Sequence, residues 1–251
     1  MKTLEALYRR IPPAALVISK GPSWRSVITR ARSALGLARF VALNIGRVAR
    51  TPRAFAFLRH TWVVRDPDLT SDLQRAVLWT LACEPRVSGC VVELGAWIGG
   101  TTVCLAAASR LAKAGPVYAV DTFAGADPDC RARIGHYGGS TWDLFQRNLQ
   151  RAGVTANVHV LGTTTVEAAR TWSTQERGPV RLLFIDADHR YAGVREDFES
   201  WVPHVARGGV VAWHDYNDAH PGVVQAVDEA VASGVVANPE TVPGLLWAYK
   251  R

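Results

Sequence analysis

This sequence has little of what usually marks a secreted, membrane-spanning or zinc-binding protein. Its four cysteines form no Cys-x-x-Cys pair, and its seven histidines form no cluster along the chain. Reduced thiols are therefore expected, not disulfides or a zinc site. No apolar run approaches the length that spans a bilayer, and the first residues lack the apolar core of a secretion signal. These absences predict a cytoplasmic chain, soluble or peripheral at the inner membrane face.

Acidic residues are almost missing from the first 65 positions, which contain thirteen lysines and arginines and one acid, Glu5. Residues 33–51 have the spacing of an amphipathic helix. Its two faces carry arginines and apolar residues respectively: Arg32, Arg39, Arg47 and Arg50, and Leu37, Val41, Ile45 and Val48. We predict a basic helical arm, residues 1–65, joined to a mildly acidic domain, residues 66–251.

Four roles for this arm stay open. The alternatives are that it lies in an anionic membrane interface, that it packs on the domain or a second subunit, that it binds a polyanion such as RNA, and that it remains a disordered tail. Nucleic acid is not the favoured partner.

Strands and helices alternate along the domain, and several strands are nearly continuous apolar runs. The strands are expected at residues 90–93, 117–121, 158–162, 181–186, 209–215 and 245–249. The helices are expected at residues 103–113, 142–152, 166–172, 194–202 and 223–232. Such a pattern predicts an α/β fold, a Rossmann-like doubly wound sheet of about seven strands, mostly parallel with an antiparallel C-terminal strand. Ligands of such sheets bind at the carboxyl ends of the strands.

A glycine-rich turn follows the first strand and opens the first helix. It reads Glu93-x-Gly95-x-x-x-Gly99-x-Thr101, whereas dinucleotide dehydrogenases have G-x-G-x-x-G. Backbone N–H groups and a helix N-terminus face a ligand there, and glycines let the chain approach it closely. The acid at the strand end suits a positively charged ligand and repels a pyrophosphate. S-adenosylmethionine, with an ammonium, a sulfonium and no phosphate, is the expected ligand; an ordinary strand–helix turn is the alternative.

This turn resembles motif I of the class I S-adenosylmethionine-dependent methyltransferases. The second strand ends in Asp121, about twenty residues past the glycines, where an acid accepts hydrogen bonds from ribose hydroxyls. The predicted cofactor-binding residues are Glu93, Gly95, Gly99, Thr101, Asp121, Gly162 and Asp186.

The fourth strand ends in Phe184-Ile185-Asp186-Ala187-Asp188-His189, beside the expected methyl group. Enzymes that methylate amino groups of nucleic-acid bases usually have Asp/Asn-Pro-Pro-aromatic there. This chain has neither proline, which argues against methylation of such amino groups. With Trp213-His214-Asp215-Tyr216 at the end of the fifth strand, the stretch resembles the macrocin-type sugar O-methyltransferases and, more distantly, catechol O-methyltransferase. The resemblance covers about residues 78–228.

The resemblance implies a divalent metal, Mg²⁺ or Mn²⁺, held by Asp186, His214 and Asp215. His214 departs from the family, which has an acid at this position. Imidazole binds first-row metals readily and is a poorer partner for Mg²⁺. A histidine that only hydrogen-bonds a neighbour is the alternative.

A base must take the proton of the acceptor hydroxyl, and two histidines are candidates. His189 stands three residues after Asp186, where catechol-type enzymes have their catalytic lysine. His136 lies in a glycine-rich loop that suits a substrate lid, and macrocin-type enzymes have their catalytic histidine in the corresponding loop. For each, a surface or capping histidine is the alternative. Four others have no comparable setting: His60, His159, His204 and His220.

The expected function is S-adenosylmethionine-dependent O-methylation of a small-molecule acceptor, at a hydroxyl of a sugar, glycoside or related polyol, with a divalent metal assisting. A nucleoside-binding oxidoreductase and a non-catalytic, methyltransferase-like binding protein are the alternatives. The spacing of the glycine turn disfavours the first, and the intact acids at the strand ends disfavour the second. Other expected partners are a membrane surface, through the arm, and a second copy of the chain.

Overall fold

The computed structural model describes residues 70–125 and 128–251, together with His60 and Val64. The side chains of Pro128, Asp129 and His136 lie outside this description. The predicted arm helix, residues 33–51, also lies outside the described residues.

A single sheet of seven strands organises the domain, and its strand order is β3-β2-β1-β4-β5-β7-β6. The strands are β1 Cys90–Leu94, β2 Val117–Val120, β3 Val158–Leu161, β4 Val180–Ile185, β5 Val205–Tyr216, β6 Val236–Val242 and β7 Gly244–Lys250. The first five pair in parallel, whereas β7 pairs antiparallel with both β5 and β6. The predicted fold class is confirmed.

The edge strand β6 is the one strand that the sequence analysis did not locate. It contains Pro239, which has no N–H to give to a ladder, and its pairing with β7 shifts register between Ala237 and Glu240. Asn238 has a φ of +53°, as a residue inside a bulge can have. Proline is tolerated in a sheet at such edge bulges, and for the same reason the segment lacks a strand-like sequence pattern.

Seven α-helices lie along the described residues. They are α1 Asp72–Cys83, α2 Gly100–Ala112, α3 Pro128–Ile134, α4 Trp142–Ala152, α5 Thr165–Trp172, α6 Tyr191–Trp201 and α7 Pro221–Ala232. Two of them, α1 and α3, were not among the predicted helices. In the described part of the chain, no helix combines the length and apolar character that crossing a membrane requires.

The helices cover the sheet on both faces. Alternate residues of β1 enter opposite cores, with Val91 packed on the side of α1, α2 and α4 and Val92 on the side of α5, α6 and α7. All five residues of β1 and all six of β4 are buried, as expected for strands in the centre of a doubly wound sheet.

The strand order reverses direction between β1 and β4. The chain runs outward from β1 through β2 to β3, then returns to place β4 on the other side of β1. Loops that leave neighbouring strands in opposite directions open a crevice between them, which is where such sheets bind ligands. The fold therefore predicts a ligand site at the residues that follow Leu94 and Ile185.

Candidate functional site

The turn after β1 requires glycine for steric reasons. Gly95 has a φ of +87°, and a Cβ atom built there would lie 2.2 Å from the carbonyl oxygen of Asp186. The backbone N–H of Asp186 donates to the carbonyl of Leu94 at 2.8 Å, so the ends of β1 and β4 lie side by side. Gly99, the N-cap of α2, has a φ of +84° and no side chain to cap the first helical turn. The first N–H groups of α2 are therefore not capped by this residue and suit a ligand.

Asp121 ties the end of β2 to this glycine turn. Its carboxylate accepts hydrogen bonds from the backbone N–H of Trp97 at 2.7 Å and from that of Phe123 at 2.6 Å. Burial raises the pKa of Asp121, and the N–H donors of Trp97 and Phe123 oppose that shift. Each carboxylate oxygen has a further lone pair, so the side chain can hold the loop and still accept hydrogen bonds from a ligand.

Glu93 lies beneath the turn. Its side chain is 1% exposed, and its Oε2 accepts a hydrogen bond from the hydroxyl of Thr102 at 2.5 Å. Burial raises the pKa of Glu93 to about 8, although the bond from Thr102 opposes the shift; the nearby carboxylates of Asp186 and Asp121 raise it further. Burial thus favours the neutral form of this carboxyl, whereas the sequence predicted a charged acid beside the ligand.

A second group of polar side chains lies at the ends of β4 and β5. Asp186 Oδ1 is 2.9 Å from His214 Nδ1, and Asp215 Oδ2 is 3.1 Å from His189 Nε2. One ligand atom from each of Asp186, His189 and Asp215 lies within 4.8 Å of the others. Two carboxylates and an imidazole at this separation are a suitable donor set for a first-row divalent cation.

A bulge at the end of β5 brings two consecutive residues to this group. The pairing of β5 with β7 shifts register between His214 and Tyr216, and Asp215 between them has a φ of +54°. In a regular strand, successive side chains point to opposite faces. The left-handed residue breaks this alternation, and His214 Nδ1 lies 3.4 Å from Asp215 Oδ2.

His214 is buried between acceptors. Its Nδ1 faces Asp186 and Asp215, and its Nε2 lies 3.3 Å from Gln74 Oε1. Burial alone would lower the pKa of His214, but the two carboxylates outweigh it and raise the pKa to about 10. Burial likewise opposes ionisation of Asp215, yet hydrogen bonds from His189 and His214 hold its pKa well below the usual range.

The segment after β2 lies against the glycine turn. Tyr137, in a short 3-10 turn that follows α3, places its ring edge-on to Trp97 with the ring centroids 5.8 Å apart. The guanidinium of Arg133 lies over the Trp97 ring at 5.5 Å. This segment contains His136 and was expected to form a substrate lid.

Residues 92–216, which include the glycine turn and the ends of β4 and β5, match a family model described as a methyltransferase domain. This chain belongs to the class I S-adenosylmethionine-dependent methyltransferases. The predicted family and the predicted enzyme class are confirmed.

Several solved structures share this methyltransferase fold. The O-methyltransferase NovP is 20% identical, with a TM-score of 0.58 over 87% of this chain and 99% of that one. Cofactor-bound Rv0187 from MTB is 22% identical, with a TM-score of 0.53 over 84% of this chain and 95% of that one. CalS11, named a TDP-rhamnose 3′-O-methyltransferase, is 17% identical, with a TM-score of 0.51 over 79% and 95% of the two chains. At these identities the likeness establishes the fold.

A viral relative matches over a shorter stretch. An uncharacterised protein of Acanthamoeba polyphaga mimivirus is 31% identical over an alignment of 98 residues, and the match covers 35% of this chain and 43% of the viral protein. The chain thus spans less than half the length of this relative.

The predicted cofactor residues of the methyltransferase differ in their surroundings. The glycine turn contains Gly95 and Gly99, and Glu93 and Asp121 lie next to it. The hydroxyl of Thr101 instead lies 2.9 Å from that of Thr70. Gly162 follows β3, and a Cβ atom built there would have no neighbour within 4 Å, so no steric reason requires glycine. Their roles toward the cofactor stay predictions.

The structure brings together all the predicted metal and base residues whose side chains it describes. Asp186, His189 and Asp215 converge, and His214 lies against both acids. His189 thus has the geometry of a ligand or of a base held by Asp215. The side chain of His136 lies outside the described residues, and its role as a base stays a prediction.

Two neighbours of the site were missed in the sequence. His220 was given no role, yet its Nδ1 is 3.7 Å from Asp215 Oδ1 and its ring centroid is 5.2 Å from that of His189. A signal existed: Pro221 begins α7, so the loop after β5 is too short to carry His220 far from Asp215. Gln74 contacts His214 from 140 positions earlier in the chain, and no local pattern indicates such a contact.

Proposed function

We propose that this methyltransferase transfers the methyl group of S-adenosylmethionine to a hydroxyl oxygen of a sugar, glycoside or related small polyol, with a divalent metal assisting. The convergence of Asp186, His189 and Asp215 at the ends of β4 and β5 is the observation that carries the proposal. The names of NovP and CalS11, which share the fold, support oxygen as the acceptor atom and, for CalS11, a sugar.

The donor set fits a first-row divalent ion such as Mn²⁺ better than Mg²⁺. Asp186, Asp215 and one or both of His189 and His214 would hold the ion, and imidazole is a better ligand for Mn²⁺ than for Mg²⁺. When bound, the ion would polarise the acceptor hydroxyl and lower its pKa.

Residues of the chain would hold the methyl donor and accept the proton of the acceptor hydroxyl. The glycine turn and Asp121 hold the donor, with Asp121 accepting hydrogen bonds from the ribose hydroxyls. The acceptor oxygen attacks the methyl carbon in line, the carbon–sulfur bond breaks, and the sulfonium becomes a neutral thioether. If His189 is a metal ligand, the hydroxyl proton passes to His136 in the segment that packs on Trp97.

Methyl transfer from isotopically labelled S-adenosylmethionine to defined acceptors tests this proposal. The acceptors are nucleotide-linked sugars, aryl glycosides, free polyols, a catechol and a purine nucleoside as an amine control. We expect labelled methyl ether from one of the first three classes, loss of turnover in EDTA, and recovery with Mn²⁺ or Mg²⁺. Label on the nucleoside nitrogen would overturn the acceptor assignment, and full turnover in EDTA would overturn the metal assignment.

Two histidine variants separate the ligand from the base. His189→Ala should weaken Mn²⁺ binding at least about tenfold, since a ligand is removed. His136→Ala should keep Mn²⁺ binding and lower turnover about 100- to 10,000-fold, the usual contribution of a general base. If His136→Ala keeps near-normal turnover while His189→Ala keeps normal Mn²⁺ affinity but loses turnover, His189 is the base.

A further inference from the structure

The side chain of Gln74 joins three separate parts of the methyltransferase domain. It is 6% exposed and lies in the first turn of α1. Its Oε1 accepts a hydrogen bond from the backbone N–H of Ser71 at 2.6 Å, and its Nε2 donates to the carbonyl of Pro243 at 2.9 Å. The same Oε1 lies 3.3 Å from Nε2 of His214.

The partners of Gln74 fix the orientation of its amide. A backbone N–H only donates and a proline carbonyl only accepts, so the oxygen must face Ser71 and the nitrogen must face Pro243. The oxygen that His214 meets is therefore an acceptor, and Nε2 of His214 must carry the hydrogen of their bond. The other ring nitrogen, Nδ1, is left facing Asp186 at 2.9 Å and Asp215 at 3.4 Å.

The absence of a side chain at position 244 makes room for this arrangement. Gly244, which begins β7, has a φ of +75°, and a Cβ atom built on it would lie 2.5 Å from Nε2 of Gln74. The turn between β6 and β7 thus holds the amide from one side, while Ser71 holds it from the other.

We propose that Gln74 is a positioning residue, which fixes the ring of His214 with Nε2 bonded to its amide oxygen and Nδ1 directed at the two acids of the metal site. Metal-binding histidines commonly donate their second N–H to such an acceptor, which sets the ring orientation. The metal part of this inference rests on the proposed function.

A purely structural role makes a different prediction. Ser71 and Gln74 also form a capping box at the start of α1, in which Ser71 Oγ accepts from the N–H of Gln74 at 3.3 Å. If Gln74 only stabilises the helix, then Ser71→Ala and Gln74→Leu should both lower stability and affect the metal site equally little. Ser71→Ala keeps the backbone N–H that orients Gln74, so it is a matched control for the loss of the cap.

The experiment compares wild type, Gln74→Leu and Ser71→Ala in the full chain. Calorimetry measures Mn²⁺ and S-adenosylmethionine affinity, and ¹⁵N NMR of the histidine rings, assigned with His214→Asn, locates the hydrogen on His214. We expect an Nε2-bound hydrogen in wild type and Ser71→Ala. In Gln74→Leu we expect a shifted Nε2–H signal, because this hydrogen loses its acceptor, and Mn²⁺ binding weakened about 10- to 100-fold, with cofactor affinity within twofold of wild type. Gln74→Met, which keeps the side-chain length, takes its place if Gln74→Leu does not fold.

The outcomes separate this inference from the proposed function. An unchanged His214 ring spectrum in Gln74→Leu, or no hydrogen on Nε2 in wild type, would overturn the positioning role. Equal loss of Mn²⁺ affinity in Ser71→Ala and Gln74→Leu would overturn it too. If wild type binds no Mn²⁺, the metal part of the proposed function fails, and the ring spectrum alone then decides the role of Gln74.

Discussion

The two halves of the site are built by different means. On the half proposed to hold the methyl donor (the donor half), at the ends of β1 and β2, backbone conformation dominates: Gly95 and Gly99 have positive φ, and Asp121 accepts from two backbone N–H groups. On the half proposed to hold the metal and the methyl acceptor (the acceptor half), at the ends of β4 and β5, side chains contact one another, as Asp186 does with His214 and Asp215 with His189. The donor half depends on the path of the chain, whereas the acceptor half depends on which side chains the fold brings together.

The electrostatics of the two halves differ in the same way. In the donor half, burial raises the pKa of Glu93 to about 8 and also raises that of Asp121, where backbone N–H donors oppose the shift. In the acceptor half, burial is outweighed by the partners, which raise the pKa of His214 and lower that of Asp215. Charge is therefore concentrated where the proposed metal and the acceptor hydroxyl meet. Substitutions in the two halves should consequently fail in different assays.

The largest expected effect is on turnover and comes from the acceptor half. Asp186→Ala should lower turnover at least about 1,000-fold, equivalent to about 4 kcal/mol, because the proposed metal loses a carboxylate. Cofactor binding, measured by calorimetry, should be largely retained, because Asp186 supplies only one of the predicted cofactor contacts. Asp188→Asn is the matched control, because Asp188 pairs with Arg190 and lies outside the predicted metal set. Equal losses of turnover in both variants would contradict the assignment.

A steric effect on the donor half comes next. Gly95→Ala should lower the free energy of unfolding by about 3 kcal/mol or more, since its Cβ would collide with the Asp186 carbonyl at a positive φ. Gly162→Ala, whose Cβ would meet nothing within 4 Å, should change stability by less than about 1 kcal/mol. Denaturant unfolding of both variants measures this difference. Similar losses at the two positions would mean that the turn does not need its glycine.

Cofactor binding should respond next, at Asp121. Asp121→Ala should weaken S-adenosylmethionine binding by about 2–4 kcal/mol, since charge-assisted bonds to the ribose and the anchoring of Trp97 are both lost. Mn²⁺ affinity should remain near that of wild type, because Asp121 belongs to the other half. Calorimetry with each ligand tests this, and an unchanged cofactor affinity would remove Asp121 from the cofactor site.

The buried Glu93 predicts a smaller, pH-dependent effect. Its pKa is about 8 in the folded state and 4.5 as a free side chain, so unfolding releases a proton between these values and stability falls as the pH rises through them. Glu93→Gln removes this loss. The variant should gain on wild type by about 2 kcal/mol between pH 5 and pH 6.5, since each pH unit between the two pKa values costs wild type about 1.4 kcal/mol. A constant difference across this range, measured by denaturant unfolding, would show that Glu93 ionises normally.

The basic arm should matter least for the donor half. Deleting residues 1–50 should leave cofactor affinity within about twofold, because all predicted site residues lie beyond position 66. The cut keeps His60 and Val64, which are buried; His60 lies near Trp79, and the Val64 carbonyl accepts from Arg75. If the deletion changes a property, we expect that property to be the oligomeric state or the binding to anionic vesicles. Loss of cofactor binding with an unchanged circular dichroism spectrum would place the arm in the active site.

Local patterns were enough to predict much of the methyltransferase fold. Apolar strands, amphipathic helices and the Glu93–Thr101 turn are short-range features, because a strand or a turn is specified by residues next to each other. The acids at the strand ends followed as well, since parallel strands present their carboxyl ends on one edge. The segment around Pro239 escaped prediction because only pairing with β7 makes it a strand.

The sequence by itself determined most of the order of α and β elements, the glycine turn and the presence of acids at the ends of β1, β2, β4 and β5. The tertiary structure alone decided what surrounds those acids. Burial sets the pKa of Glu93, the bulge at Asp215 brings His214 and His189 to the same carboxylate, and Gln74 reaches His214 across 140 positions. Each depends on desolvation or on contacts between distant residues, which exist only after the sheet and its helices have packed.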